Sequence, residues 1–306
     1  MKLLVFVTCD VFTDQPFGGN PLAVVFGAEG LSTEQLQKIA FEFNYSETTF
    51  VLPPKDQANT ANVRIFTPGY EMSFAGHPNV GTGYVLARMG ELFGKKLGDQ
   101  LLFEELAGLV TIDIQRDGAG NIAGTRVAAP KLPGEPVPML PDTVARAVGL
   151  TVDDLDMSLD PPVLLEAGPT FAMVRLNSHE ALKRATIVDP SVPFPDGLAE
   201  KGVGLLLYTV LGEADPLPVA SRMMALDAAM SGLTEDPATG SASVILASYL
   251  QRRDPHVPTR LTITQGVEMG RPSTIETEVV LNPDGSQLYA AVSGKTVIMM
   301  EGKLLI

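Results

Sequence analysis

The chain has 306 residues, 45% of them apolar and 19% charged, enough to build real cores in two domains of ordinary size. A formal net charge of −14, with no local cluster of Lys or Arg, excludes a long polyanion such as DNA or RNA as partner, while leaving room for a small anionic substrate in a locally positive site. The single cysteine, Cys9, makes no intrachain disulfide, no cysteine-rich metal site and no two-thiol catalytic pair.

The opening residues MKLLVFVTCD hold a short, β-rich apolar run without a small-residue cleavage site, so they read as a first strand and not as a signal peptide. No stretch reaches the roughly 18 apolar residues that span a membrane, so a cytoplasmic protein is expected. A strand at 3–7 leads through the turn FGGNP (17–21) to a second strand at 22–26. In LSTEQLQKIAFEFN, Ser32 and Gln35 have capping-box spacing and Leu36, Ile39, Ala40 and Phe43 recur at helical spacing, which predicts an amphipathic helix. Strands follow at 47–52, 62–67 and 108–114, and a helix from Pro78 or Asn79 to about Arg88. The segment 129–141 carries five prolines in thirteen residues and reads as a semi-extended linker between two halves. Beyond it, helices are predicted near 142–149, 178–185 and 238–252, and strands at 162–166, 171–176, 203–209, 261–264 and 276–282. The last residues, SGKTVIMMEGKLLI, read as a terminal hairpin.

Each half contains one glycine-rich loop that enters a helix, FAGHPNVGTGYVLA (74–87) and EDPATGSASVILA (235–247), which suggests a duplicated architecture. In the first, Gly76 and Gly81 have P-loop spacing, but Thr82 stands where the phosphate-binding lysine is needed, so nucleotide binding is rejected. What remains is a backbone able to approach a ligand and N–H groups at a helix start that attract an anion. His77 lies inside this loop, where a positive helix end favours the neutral ring. Read alone, it is better taken as a capping histidine.

In TEDPATGSAS, Asp236 and Ser241 flank Gly240. One helix cap needs only one side chain, and here several polar groups gather. Glu47, in NYSETTFV, leads an apolar strand, and burial beside Tyr45, Thr48 and Phe50 would raise its pKa as a general base requires; the plain alternative is a surface glutamate at a strand entrance. No metal-ligand spacing and no dinucleotide fingerprint is present.

The order of these stretches is more specific than any one of them. DVFTDQPFGGNPLAVVF (10–26), NYSETTFV (44–51), RIFTPGYEMSFAGHPNVGTG (64–83), SRMM…EDPATGSA (221–242) and QGVEMGRPS (265–273) together resemble the PhzF family of phenazine-biosynthesis isomerase-like proteins, over nearly the whole chain. The resemblance implies an α+β, diaminopimelate epimerase-like fold. Two similar domains, 1–128 (joined by a last strand at about 296–306) and 129–295, would each curl a sheet around a central helix, with the active site in the cleft between them. Two helix N-termini, each worth roughly half a positive charge, would bind the substrate carboxylate.

By motif match, Glu47 would be the general acid/base, with His77, Asp236 and Ser241 assisting proton movement and orientation. Asn20, Gly76, Pro78, Asn79, Ala238, Thr239 and Gly240 would line the substrate site. In the family's best-known reaction a proton moves between carbons of trans-2,3-dihydro-3-hydroxyanthranilate and the enol tautomerises to a ketone, with no cofactor or metal. A homodimer is implied as well. Epimerases of the related fold use two cysteines, and the matching positions here are Ala75 and Pro237, so two-thiol racemisation is unavailable. The family more often has Gly-His-Ala-Thr where this chain has Gly-His-Pro-Asn, which alters the donors of the pocket. Two other readings stay open: a non-catalytic binder of a small carboxylate, and a cysteine-independent epimerase using Glu47 and a second base.

Overall fold

The computed structural model describes residues 2–188, 204–225 and 234–306. Residue 203, the expected start of a strand, and residues 226–233 of the stretch 221–242 lie outside the described residues. The chain divides into two compact units, Met1–Pro130 with Ala291–Ile306, and Lys131–Ala290.

In the first unit, Leu3–Val11 pairs antiparallel with both Asn20–Phe26 and Thr296–Leu305. Asn20–Phe26 runs parallel to Glu47–Leu52, which turns back antiparallel onto Ala61–Phe66. The sheet continues through Gln100–Glu105, Gly108–Arg116 and Ile122–Ala128, and Thr125 to Ala128 then pair with residues 291–294. Helix α1, Thr33–Phe43, starts at the Ser32–Gln35 capping box and stops at Asn44, whose left-handed φ of 52° ends it. It buries Leu36, Ile39 and Ala40 against Leu4, Val25, Phe50 and Phe66.

Helix α2, Gly76–Met89, lies on the opposite face of the sheet, against Leu3–Val11, Asn20–Phe26, Gly108–Arg116, Ile122–Ala128 and Thr296–Leu305. Residues 76–83, Val85 and Leu86 are all buried, so the helix is enclosed nearly all round and shows no amphipathic stripe. Its small residues make that possible. A Cβ at Gly81 would stand 2.6 Å from Leu22 Cδ2 and Val11 Cγ2, and one at Gly83 would stand 2.6 Å from Ile112. Gly81 also lies over Cys9, whose burial pushes the thiol up and makes it a core residue.

The second unit pairs Val137–Pro138 with Val163–Glu166, the latter with Thr170–Arg175, and that strand in parallel with Gly204–Val210. Leu217–Ala225 lies antiparallel to Gly204–Val210 and parallel to Arg260–Gln265, which is followed by Ser273–Leu281. Helices α3 (Pro141–Ala147) and α4 (His179–Arg184) cover one face through Val144, Ala145, Leu182, Leu164, Val174 and Leu205. Helix α5, Gly240–Arg253, packs on Arg260–Gln265 and Ser273–Leu281, with eleven of its residues buried.

Two expectations need correction, and a third, the linker at 129–141, holds the unit boundary at Pro130/Lys131 but is not loose beyond it. The C-terminal residues form one strand, Thr296–Leu305, in place of a hairpin. Gly302, which looks like a turn residue, sits within that strand because Phe6 covers it, its ring 2.5 Å from where a Cβ would be. Helix α2 begins at Gly76, two residues before Pro78, since proline's missing N–H is tolerated anywhere in the first turn. The proline-rich 129–141 segment is tied in: Arg252 donates to the Pro133 and Gly134 carbonyls, and Pro141 opens α3.

Candidate active site

The pleat of one strand sets the first group of residues. On Glu47–Leu52, Phe50 points to α1, while Glu47 and Thr49 share the face toward α2. Thr49 Oγ1 lies 2.9 Å from Thr82 Oγ1, and two residues earlier Glu47 Oε2 lies 3.2 Å from His77 Nε2. The spacings agree: two strand residues span about 6.6 Å and five helical residues about 7.5 Å, so one strand edge follows the first turn and a half of the helix. Thr82, the residue that spoils the P-loop pattern, is thus a buried hydroxyl that fixes this register.

His77 is 4% exposed. Asn20 Nδ2 lies 3.3 Å from its Nδ1 and, as that amide is oriented, donates to it, which leaves the ring proton on Nε2, facing Glu47. The Nε2 approach lies off the line of a full hydrogen bond, the loose geometry common before substrate binds. Burial pushes the imidazole pKa down to about 3, against the smaller opposing pull of the Pro21 carbonyl, so the ring is neutral at pH 7. The loop before Asn20 is built to deliver it. Asp10 Oδ2 accepts the Phe17 N–H at 2.8 Å, and Gly19 has a φ of 60° with Val11 O 2.2 Å from where a Cβ would be, so only glycine fits. No side chain caps α2. Pro78 has no N–H, so Gly76 and His77 carry the donors of its first positions. Asn79 Nδ2 donates to Ala75 O at 3.0 Å.

The second group is built on Asp236, which pairs with Met223, and on the start of α5. Thr239 is the N-cap residue of α5 but does not cap it; its hydroxyl donates to Asp236 Oδ2 at 2.5 Å. Ser241 is partly exposed in the first turn, while Ala238 and Gly240 are buried. Ser243 donates to Thr239 O at 2.9 Å, so it is a brace within the helix.

The residue that organises this loop is Gln265, not singled out in the sequence. Its Nε2 donates to Asp236 O (2.8 Å) and Thr239 Oγ1 (3.1 Å), while its Oε1 accepts from Thr239 N (3.3 Å) and Ser221 Oγ (3.4 Å). It is fully buried. A glutamine at the end of an alternating apolar strand is the signal, since a buried amide must find partners. Arg222 was also missed. It grips Glu235 with two hydrogen bonds of 2.8 Å and donates to the Leu182 and Ala185 carbonyls, which holds the strand entering Asp236. Among the described residues no group of three or more His, Cys, Asp or Glu side chains is placed to hold a metal ion, and no helix is long and apolar enough to cross a membrane.

A helix enclosed by a large mixed sheet, with few other helices, places the chain in the α+β, epimerase-like fold class. Residues 9–302 match the phenazine biosynthesis-like protein family, PhzC-PhzF, and the chain belongs to it. It is 34% identical over 312 residues to an uncharacterized isomerase of Mesorhizobium japonicum, covering 100% of both chains. It is 33% identical over 300 residues to the trans-2,3-dihydro-3-hydroxyanthranilate isomerase of Pseudomonas aeruginosa, covering 97% of this chain and 98% of that one. The crystal structure of the Bacillus anthracis phenazine biosynthesis protein of the PhzF family superposes with a TM-score of 0.84 at 28% identity, over 100% of both chains. The protein is accordingly an enzyme, a PhzF-type isomerase.

Proposed function

We propose that this isomerase moves a proton between carbons of a small carboxylate substrate, with Glu47 as the group that takes and returns it. The observation that carries the reading is the buried Glu47–His77 contact at the uncapped start of α2. A neutral imidazole whose Nε2 lies 3.2 Å from Glu47 Oε2 is placed to donate to the carboxylate once a bound substrate aligns the pair, which would fix the carboxylate's direction toward the substrate carbon. The C–H pair of electrons then passes into the substrate's conjugated carboxylate, whose growing negative charge is stabilised by the N–H groups of Gly76 and His77 and the positive end of the helix. Glu47, now a carboxylic acid, returns the proton to another carbon of the same substrate, and the enol so formed tautomerises to a ketone.

The similarity to the Pseudomonas aeruginosa enzyme supports a dihydro-hydroxyanthranilate-type substrate. Asp236 and Ser241 assist in proton movement and orientation; the rigid support that Gln265 and Thr239 give Asp236 fits such a role.

The test is deuterium uptake from D₂O into trans-2,3-dihydro-3-hydroxyanthranilate and a panel of small cyclic and amino carboxylates, read by mass spectrometry. Wild type exchanges, and Glu47→Gln loses about 10²- to 10⁴-fold. Undiminished exchange in Glu47→Gln sinks the assignment of the base. Binding without any exchange by the wild type would favour a carboxylate-binding protein instead.

A further inference from the structure

Among the described residues, Phe17 is the large apolar side chain most open to solvent, at 73%. Its φ of 69° also lies in the left-handed region, which glycine enters at far lower cost. Folding alone would put a polar residue at so exposed a position and a glycine at such a φ. Phenylalanine is disfavoured on both counts. The backbone around it is nonetheless firmly set. Asp10, at the buried end of Leu3–Val11, accepts the Phe17 N–H at 2.8 Å. Gly18 N–H donates to Gln15 O at 3.4 Å, and Phe12 N–H donates to Lys295 O at 2.8 Å. Gln15 N–H donates to Thr13 Oγ1 at 3.0 Å. The loop thus uses a buried carboxylate and a set of hydrogen bonds to hold an apolar ring out in water. A residue that breaks two local rules on a fixed backbone points to a ligand contact and not to a folding role.

What the ring would meet follows from its neighbours. The loop ends at Asn20, which contacts Nδ1 of His77, and Leu22, two residues on, is in register with Glu47. The three residues from Phe17 to Asn20 span at most about 11 Å, so the ring stands within reach of a ligand held on Glu47 and His77. The groups assigned to that ligand so far, Glu47, His77 and the first N–H groups of α2, are all polar. They address its carboxylate and its reacting C–H bond and leave its carbon skeleton unread. Resting on the isomerase reading of this site, we infer that Phe17 is a specificity-determining residue whose ring covers the apolar face of the bound substrate.

The chain contains no tryptophan, so Phe17→Trp installs a sole indole reporter at this position. Glu47→Gln/Phe17→Trp protein, in which turnover is blocked, is titrated with trans-2,3-dihydro-3-hydroxyanthranilate, cyclohexadienecarboxylate and acetate. Calorimetry follows binding and fluorescence follows the indole. The two ring compounds should move the emission to shorter wavelength and protect it from iodide quenching as they saturate. In the Glu47→Gln background, Phe17→Ala should weaken both ring compounds by roughly tenfold or more, leave acetate within about twofold, and leave the urea midpoint unchanged. Ring compounds that bind without altering emission or quenching overturn the proposal. Equal weakening of all three ligands by Phe17→Ala, or a lowered urea midpoint, means a structural ring and overturns it too. A wild type that binds these compounds and exchanges none of them removes the isomerase reading alone, and the indole signal still decides the role of Phe17. No binding of either ring compound removes both.

Discussion

Acidifying the protein from pH 7 to pH 5 destabilises its first unit through His77. In the unfolded chain the imidazole has a pKa near 6.5 and takes up a proton over this range. In the native state burial holds it down to about 3, so it stays neutral. A histidine with a depressed native pKa leaves stability intact above 6.5 and removes it progressively as the pH falls toward 3. At pH 5 the unfolded state gains RT ln(1 + 10^1.5), about 2 kcal/mol, and at pH 7 only about 0.2 kcal/mol. The assay is urea unfolding of wild type and His77→Gln at both pH values, read by brief dithiodipyridine labelling. Cys9 is the sole thiol and is buried in the same unit, so its labelling reports that unit's opening. Wild type should lose about 2 kcal/mol more than the variant between pH 7 and pH 5, the other titrating groups cancelling in the difference. An ionised Glu47, 3.2 Å away, works in the opposite direction. If it kept the ring charged, the two proteins would show the same pH dependence, or wild type would gain on acidification, and the neutral-imidazole mechanism would be wrong.

Gly81→Ala forces a methyl against Leu22 and Val11 at 2.6 Å and should cost about 1–3 kcal/mol in urea unfolding; an unchanged midpoint would show that α2 is not tightly enclosed. Gln265→Ala strips partners from Asp236 and Thr239, with an expected loss of about 1–3 kcal/mol and a fall in exchange rate; a variant as stable and active as wild type would show that Gln265 organises nothing. Asn20→Asp offers Nδ1 of His77 an acceptor in place of a donor and should draw the ring proton from Nε2 to Nδ1. Imidazole ¹⁵N chemical shifts report this directly, and an unmoved spectrum would contradict the orientation of the Asn20 amide.

Much of this architecture was open to reading because local signals and burial agree. The capping box of Ser32 and Gln35 sets α1, and the alternation after Glu47 sets its strand. The strands Gln100–Glu105, Ile122–Ala128 and Leu217–Ala225 were missed because their alternation is interrupted by charges, by glycine and by an arginine. Arg222 faces the interior and is neutralised by Glu235, a pairing that no sequence periodicity reveals. Pairing of the last strand with the first is similarly a contact across some 300 residues, set by register and not by any local motif.

The two glycine-rich loops show why one motif type needs two kinds of polar residue. A helix start that is to meet a ligand has to be left uncapped, yet an uncapped loop rich in small residues lacks rigidity. In the second unit the loop's own side chains supply the stiffness. Thr239 turns its hydroxyl to Asp236, Gln265 bridges both and takes the N–H of Thr239 alone, and Ser243 braces the next turn, with no side-chain cap on the N–H groups that follow. In the first unit stiffness comes from close packing instead, with Gly81 and Gly83 pressed on neighbouring strands and Thr82 tied to Thr49. The polar residues left over are then the ones whose position structure alone does not require. In the first unit these are Glu47 and His77, brought together at the start of α2, where burial pushes the imidazole toward its neutral form. Keeping such groups buried carries a folding cost.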